Sequence, residues 1–140
     1  MAPSCAVILV EDTLEALQRL AAWWRSGLAL TVIGLTGSNG KTSTKDLTAS
    51  VLSQGLRTIA TQGNLNNHIG VPLSILRATP PDEAAVWEMG MNHSGELAPL
   101  CEMTRPKIGI ITSIGTSHME YLGLSLIPIS EPTRRVVISY

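Results

Sequence analysis

The chain has no phenylalanine, and aromatic residues make up only 4% of its 140 residues. A core of any size must therefore be aliphatic, built from Val, Ile, Leu, Ala and Met. Cysteine is as scarce. Cys5 and Cys101 are the two present, too far apart for a C-x-x-C pair or a zinc spacing, so the expectation is two reduced thiols in a cytoplasmic protein. No apolar run approaches the ~20 residues of a membrane span. No positive stretch precedes an apolar one at Met1–Cys5, so neither membrane insertion nor a secretory leader is expected. A basic excess is also missing. Ten Lys and Arg stand against eleven Asp and Glu, which excludes nucleic acid as the default partner. What the chain does have is 44% hydrophobic and 15% charged residues, which suits one folded domain and excludes disorder.

Patterning predicts alternating strands and helices. Ala6–Val10 is an apolar run expected as a buried strand. Asp12, with Glu15 three residues on, caps a helix whose inner face carries Leu14, Leu17, Ala21 and Trp24, and Ser26-Gly27 closes it. Leu28–Leu35 is a second buried strand, and Lys41–Gln54 a helix with Leu47, Val51 and Leu52 facing inward. A third strand is expected at Arg57–Ala60, a short helix at Val71–Arg77 with Pro72 in its first turn, and a fourth strand at Ala84–Met89. A helix at Ser94–Met103 ends before Pro106, and Lys107–Ile114 is the fifth strand. The alternation predicts an α/β domain with a mainly parallel sheet. In such folds ligands sit at the carboxyl ends of strands, where the polar segments 36–40 and 61–70, Glu88 and His118 all fall.

The strongest local signal is Gly37-Ser38-Asn39-Gly40-Lys41-Thr42, running on to Ser43, between an apolar strand and a helix. Glycines let the backbone wrap a phosphate, and the helix N-terminus aims N–H groups at it. Lys41 can reach the β- and γ-phosphates of a nucleotide, and Thr42 can ligate Mg²⁺. Leu35 stands where the usual loop has its first glycine, so this is a shortened variant. Glu88, ending a strand, is a candidate to hold Mg²⁺ opposite the loop. His118, at another strand end, is a candidate metal or phosphate contact. His93 and His68 have weaker support. Asn64 and Asn66, and less strongly Asn67, are candidates for substrate or phosphate contact, although asparagine clusters also serve turns.

These residues resemble the Mur ligase family. Thr36–Thr42 is similar to its ATP loop. The segments Gly63–Leu73 and Glu88–Glu96 resemble the members that join D-alanyl-D-alanine to UDP-MurNAc-tripeptide, with Thr104-Arg105-Pro106 and Ser117-His118-Met119-Glu120 in matching order. The family commonly carries an acidic residue where His68 stands. The resemblance implies an ATP- and Mg²⁺-dependent ligase, monomeric when complete, in which a substrate carboxylate attacks the γ-phosphate and the dipeptide amine then attacks the acyl phosphate. It implies that Lys41, Glu88 and His118 are catalytic. Thr42, Glu88 and His118 would hold metal, Gly37–Ser43 would bind nucleotide, and Asn64, Asn66 and Asn67 would line the substrate side. Another Mur-type or folylpolyglutamate-type ligase, or a nucleotide-binding module without ligation, stays open as an alternative.

The resemblance runs from about Ala6 to Gly123. Residues 1–27 are expected to be the end of an N-terminal substrate domain with its linker, and 28–123 the first part of a central ATP-binding domain. Leu124–Arg134 resembles a translated transposase sequencing adapter apart from Pro128, so 124–140 is expected to be a non-native tail. The piece alone is expected to be inactive.

Overall fold

A computed structural model describes residues 6–91, 93, 95–114 and the backbone of 135–138. Helix α1 (Thr13–Ser26) opens the fold, followed by β1 (Thr31–Thr36), α2 (Lys41–Leu52), β2 (Thr58–Ala60) and α3 (Gly70–Leu76). Strand β3 (Ala84–Glu88), α4 (Leu97–Thr104), β4 (Ile108–Ile111) and β5 (Arg135–Ile138) complete it. The strands form one parallel sheet in the order β2-β3-β1-β4-β5. The α/β class and the parallel sheet are thus as expected from the alternation of elements.

Strand alternation divides the side chains between two faces. Val32 of β1 and Ala85 and Trp87 of β3 share one core with Ala21 of α1, Val71 and Ile75 of α3, and Leu100 and Met103 of α4. The opposite face, carrying Ile33, Leu35, Val86 and Glu88, meets α2, which packs on β3, β2 and β1. Both faces of β1 and β3 are buried, the condition under which a parallel strand reads as a continuous apolar run. Asp12 does cap α1, its Oδ1 accepting from the N–H groups of Leu14 at 2.7 Å and Glu15 at 2.9 Å.

Arg25 ties the last turn of α1 to this core. Its guanidinium donates to the carbonyls of Thr104 at 2.9 Å, Leu28 at 3.0 Å and Leu30 at 3.4 Å. It also lies 5.9 Å from the centroid of the Trp87 ring, within cation–π range. Burial, and then the positive charge of Arg105, pull its pKa below the ordinary arginine value.

Two expectations fail. Ala6–Val10 forms no strand and lies exposed, with Leu9 at 96%. An apolar run demands burial, but a strand also needs a neighbour's hydrogen-bonding ladder, and no described strand pairs with this segment. In α2, Leu47 and Val51 face outward at 69% and 71% exposure. Lys45, Ala49 and Leu52, spaced four and three apart, line the sheet side instead. The glycine turn that ends at Gly40 fixes where α2 starts, and at 100° per residue that places Leu47 and Val51 on the far stripe. Boundaries also shift: β4 stops at Ile111, three residues before the expected end, and α4 begins at Leu97.

Arg25→Gln removes a charged donor from three carbonyls. It is expected to lower stability by about 2 kcal/mol in urea unfolding, while Arg19→Gln, on the exposed side of α1, changes it by less than about 0.5 kcal/mol.

Candidate phosphate and metal site

The site is assembled where β1, β3 and β4 end. After Thr36 the backbone turns through Gly37 at φ 139° and Gly40 at φ 78°. Only glycine adopts such values readily, and the space beside Gly37 is filled by Thr112 Oγ1 and by Ser113 N at 2.9 Å. Gly40 is the N-cap of α2. It has no side chain, so the first-turn N–H groups of α2 end in a backbone rim, the arrangement that receives anions. Lys41 Nζ folds back over the loop and donates to the carbonyl of Gly37 at 2.6 Å. Ser43 lies exposed in the same turn.

Glu88 enters from β3. The register pairs it with Leu35, the residue before Thr36, so its carboxylate faces the start of α2. It is 2% exposed. Thr42 Oγ1 donates to its Oε2 at 3.2 Å, and Asn66 Nδ2 donates to its Oε1 at 2.9 Å. Its own N–H donates to Thr61 Oγ1 at 3.0 Å. A hydroxyl beside a carboxylate is a pair of hard oxygen donors, which suits Mg²⁺. That ion takes one or two protein oxygens and fills its remaining positions with water and phosphate. Among the described residues no group of three or more His, Cys, Asp and Glu gathers, so any metal here would lean on a bound phosphate.

The asparagines separate in role. Asn66 is drawn into the Glu88 bracket, and its carbonyl accepts from Gly90 N at 2.7 Å. Asn67 Oδ1 accepts from Ile69 N at 3.1 Å and Gly70 N at 2.8 Å, a turn at the entry to α3. Asn64 is exposed and its carbonyl accepts from Asn66 N. His93 Nδ1 lies 3.1 Å from Glu96 Oε1, away from the loop in the chain, and His68 contributes a carbonyl to Gln18. His118 lies outside the described residues.

Sequence reasoning missed Thr61, Thr112 and Ser113. All three follow strands, and strand ends were the guide. Thr112 and Ser113 were hidden because the fifth predicted strand ran to Ile114.

Residues 35–125 match the model of the Mur ligase middle domain. The chain belongs to the Mur ligase family. A Mur ligase from Bacillus subtilis, named UDP-N-acetylmuramoyl-tripeptide–D-alanyl-D-alanine ligase, is 52% identical over 118 residues, covering 84% of this chain and 26% of that protein. The Escherichia coli ligase of the same name is 47% identical over 116 residues, 83% of this chain and 26% of its own length. Among solved structures, MurF from Acinetobacter baumannii superposes with a TM-score of 0.80 at 41% identity, over 88% of this chain and 27% of that one. MurF from Thermotoga maritima in complex with ADP gives 0.74 at 34%, over 85% and 28%. The chain thus spans about a quarter of the length of the curated relatives it matches.

Gly37→Ala places a methyl group on Thr112 at a positive φ. It is expected to lower stability by at least about 1–3 kcal/mol. Gly55→Ala, where nothing lies within 4 Å, is expected to be neutral or slightly stabilising. Thermal or urea unfolding of the two variants checks the contrast.

Proposed function

We propose that this chain forms the phosphate- and metal-binding part of an ATP-dependent ligase that joins D-alanyl-D-alanine to UDP-MurNAc-tripeptide. The observation that carries this is the hydrogen-bonded set Thr42–Glu88–Asn66 beside the Lys41 loop, in a chain whose relatives bear that ligase name. The substrate carboxylate attacks the γ-phosphorus, giving an acyl phosphate and ADP. The dipeptide amine then attacks the acyl carbon, an amide forms and inorganic phosphate leaves.

Each residue answers a need of that first step, in which an anion approaches a polyanion. Lys41 swings from the Gly37 carbonyl to the β- and γ-phosphate oxygens and offsets their charge. The α2 N-terminus holds the phosphates in register. Thr42 and Glu88 would hold Mg²⁺, which when bound screens the phosphate charge. Asn66 keeps the Glu88 carboxylate aimed at that place, and Thr61 Oγ1 holds the Glu88 backbone by accepting its N–H. Asn64, on the exposed side of the same loop, is proposed for the substrate side, and His118 for a second metal.

Residues 28–123 are proposed as the first part of the central ATP-binding domain. Residues 1–27 would lead into it, with α1 docking on α3 and α4 as a linker helix would. The complete ligase is proposed to act as a cytoplasmic monomer; no described helix is long and apolar enough to cross a membrane. Residues 124–140 are proposed as non-native, with β5 occupying the open ladder that the edge of β4 offers to any extended segment. Resequencing the locus decides this, since the same tail in clean DNA overturns it.

The function is tested by grafting residues 6–123 in place of the matching segment of the Bacillus subtilis ligase and measuring phosphate release. Release that depends on D-alanyl-D-alanine is expected, falling about a hundredfold or more in Lys41→Ala. Release with glutamate instead of the dipeptide supports the folylpolyglutamate-type alternative, and undiminished release in Lys41→Ala contradicts the role given to the loop.

A further inference from the structure

The segment that leaves β4 holds the phosphate loop and the end of β1 through a set of hydrogen bonds. Thr112 N donates to the carbonyl of Thr36 at 2.9 Å, which extends the β1–β4 ladder one residue past the end of β4. Thr112 Oγ1 lies 2.6 Å from the carbonyl oxygen of Asn39 and 3.3 Å from that of Thr36. Ser113 O accepts from Ser38 N at 3.0 Å. Ser113 Oγ accepts from Asn39 N at 2.8 Å and lies 3.2 Å from the Asn39 carbonyl. The first half of the loop, Gly37–Asn39, is therefore bonded from outside itself, while the second half continues into α2.

We propose that Thr112 and Ser113 are positioning residues that brace the phosphate loop in its anion-receiving shape. Gly37, Ser38 and Asn39 belong to no regular element, and a short glycine-containing turn is entropically costly to order. Lys41 is bonded within the loop and cannot anchor it to the sheet. The β4 exit supplies that anchor. It binds the loop at both the N–H and the carbonyl of Asn39, so the peptide planes on each side of Asn39 are held against rotation. The inferred role explains why Gly37 must lack a side chain: the brace fills the space a Cβ would take. It also explains how a loop without the usual first glycine, at Leu35, keeps its form. The shape is imposed by a neighbouring strand rather than by its own sequence. Neither residue touches the anion in this proposal, which rests on the phosphate-loop reading above.

The test uses the 140-residue chain with Ser113→Ala, Ser113→Thr, Thr112→Val and Thr112→Ser. Amide hydrogen exchange at Ser38 and Asn39 is followed by NMR without ligand, and binding of magnesium tripolyphosphate by calorimetry. That probe isolates the phosphate contacts from those of the adenosine. Ser113→Ala and Thr112→Val are expected to speed Asn39 exchange and weaken tripolyphosphate binding, each roughly fivefold to tenfold, the worth of one hydrogen bond. Ser113→Thr and Thr112→Ser, which keep the hydroxyls, are expected to stay near the parent. The thermal midpoint should fall by only a few degrees, so that a general loss of folding does not account for the change. Unchanged Asn39 exchange in both hydroxyl-deleting variants overturns the brace. Unchanged or tighter tripolyphosphate binding in them also overturns it, since the hydroxyls would then be idle or in competition with phosphate. If the parent chain binds no tripolyphosphate, the phosphate reading fails while the exchange measurement still decides whether the brace holds the loop. Should Ser113→Ala not fold, Thr112→Val carries the same comparison.

Discussion

The site depends on the parallel pairing of β1 with a strand on each side. Parallel strands bring all their carboxyl ends to one edge of the sheet, and β1 sits between β3 and β4. The register with β3 sets Glu88 beside Leu35, and the register with β4 sets Ile111 beside Thr36. The loop that begins at Gly37 is thus flanked by a buried acid from one neighbour and two hydroxyl residues from the other. A slip of one residue in either pairing would turn Glu88 to the opposite face or lift Thr112 off the loop. The aliphatic core under the other face, with Trp87 as its largest fully buried side chain, makes such a slip costly because it would take that side chain out of the core it fills and turn it towards α2.

Polar groups at this edge bond largely to one another. Glu88 is buried yet receives bonds from Thr42, and from Asn66 at its other oxygen, so the carboxylate does not lie bare in an apolar setting. Arg25 does the corresponding work at the amino ends of the strands, donating to the carbonyls of Leu28 and Leu30 in the connection into β1 and of Thr104 at the end of α4. Trp87 is the exception, a buried indole whose N–H has no partner among the described residues. Apolar burial is concentrated on the helix-covered faces of the sheet and side-chain hydrogen bonds at its carboxyl edge, a division that sets loop residues on a rigid support.

Much of this was legible in the residues. The run LALTVIGL reads as a strand covered on both sides, and from Thr31 onward it is one, while Leu28–Leu30 form the connection into it. The Gly-Ser-Asn-Gly-Lys-Thr segment after it reads as a glycine turn opening a helix, and that is what Gly37, Gly40 and the start of α2 form. Asp12 and Pro72 mark helix entries as their chemistry requires. Glu88 was singled out because an acid closes an apolar strand. What stayed hidden depends on partners that a local pattern does not contain. Ala6–Val10 has the apolarity of a strand but no ladder to join. Leu47 and Val51 look inward by composition, yet the turn before α2 sets the helix phase and sends Lys45 inward instead. Asn66 reads as one asparagine among three until the fold sets it 2.9 Å from Glu88. Thr112 and Ser113 carry no motif at all; their place against the loop exists only once β1 and β4 are paired.

The phosphate site proposed for this chain needs no residue outside it to be formed. A titration of the isotopically labelled chain with Mg·ADP, followed residue by residue in an amide NMR spectrum, tests it most directly. Saturable shifts confined to residues 37–43, Asn66, Glu88 and the Thr112–Ser113 exit are expected. Shifts spread over α1 and α4 with the loop unmoved, or none at saturating nucleotide, would contradict it.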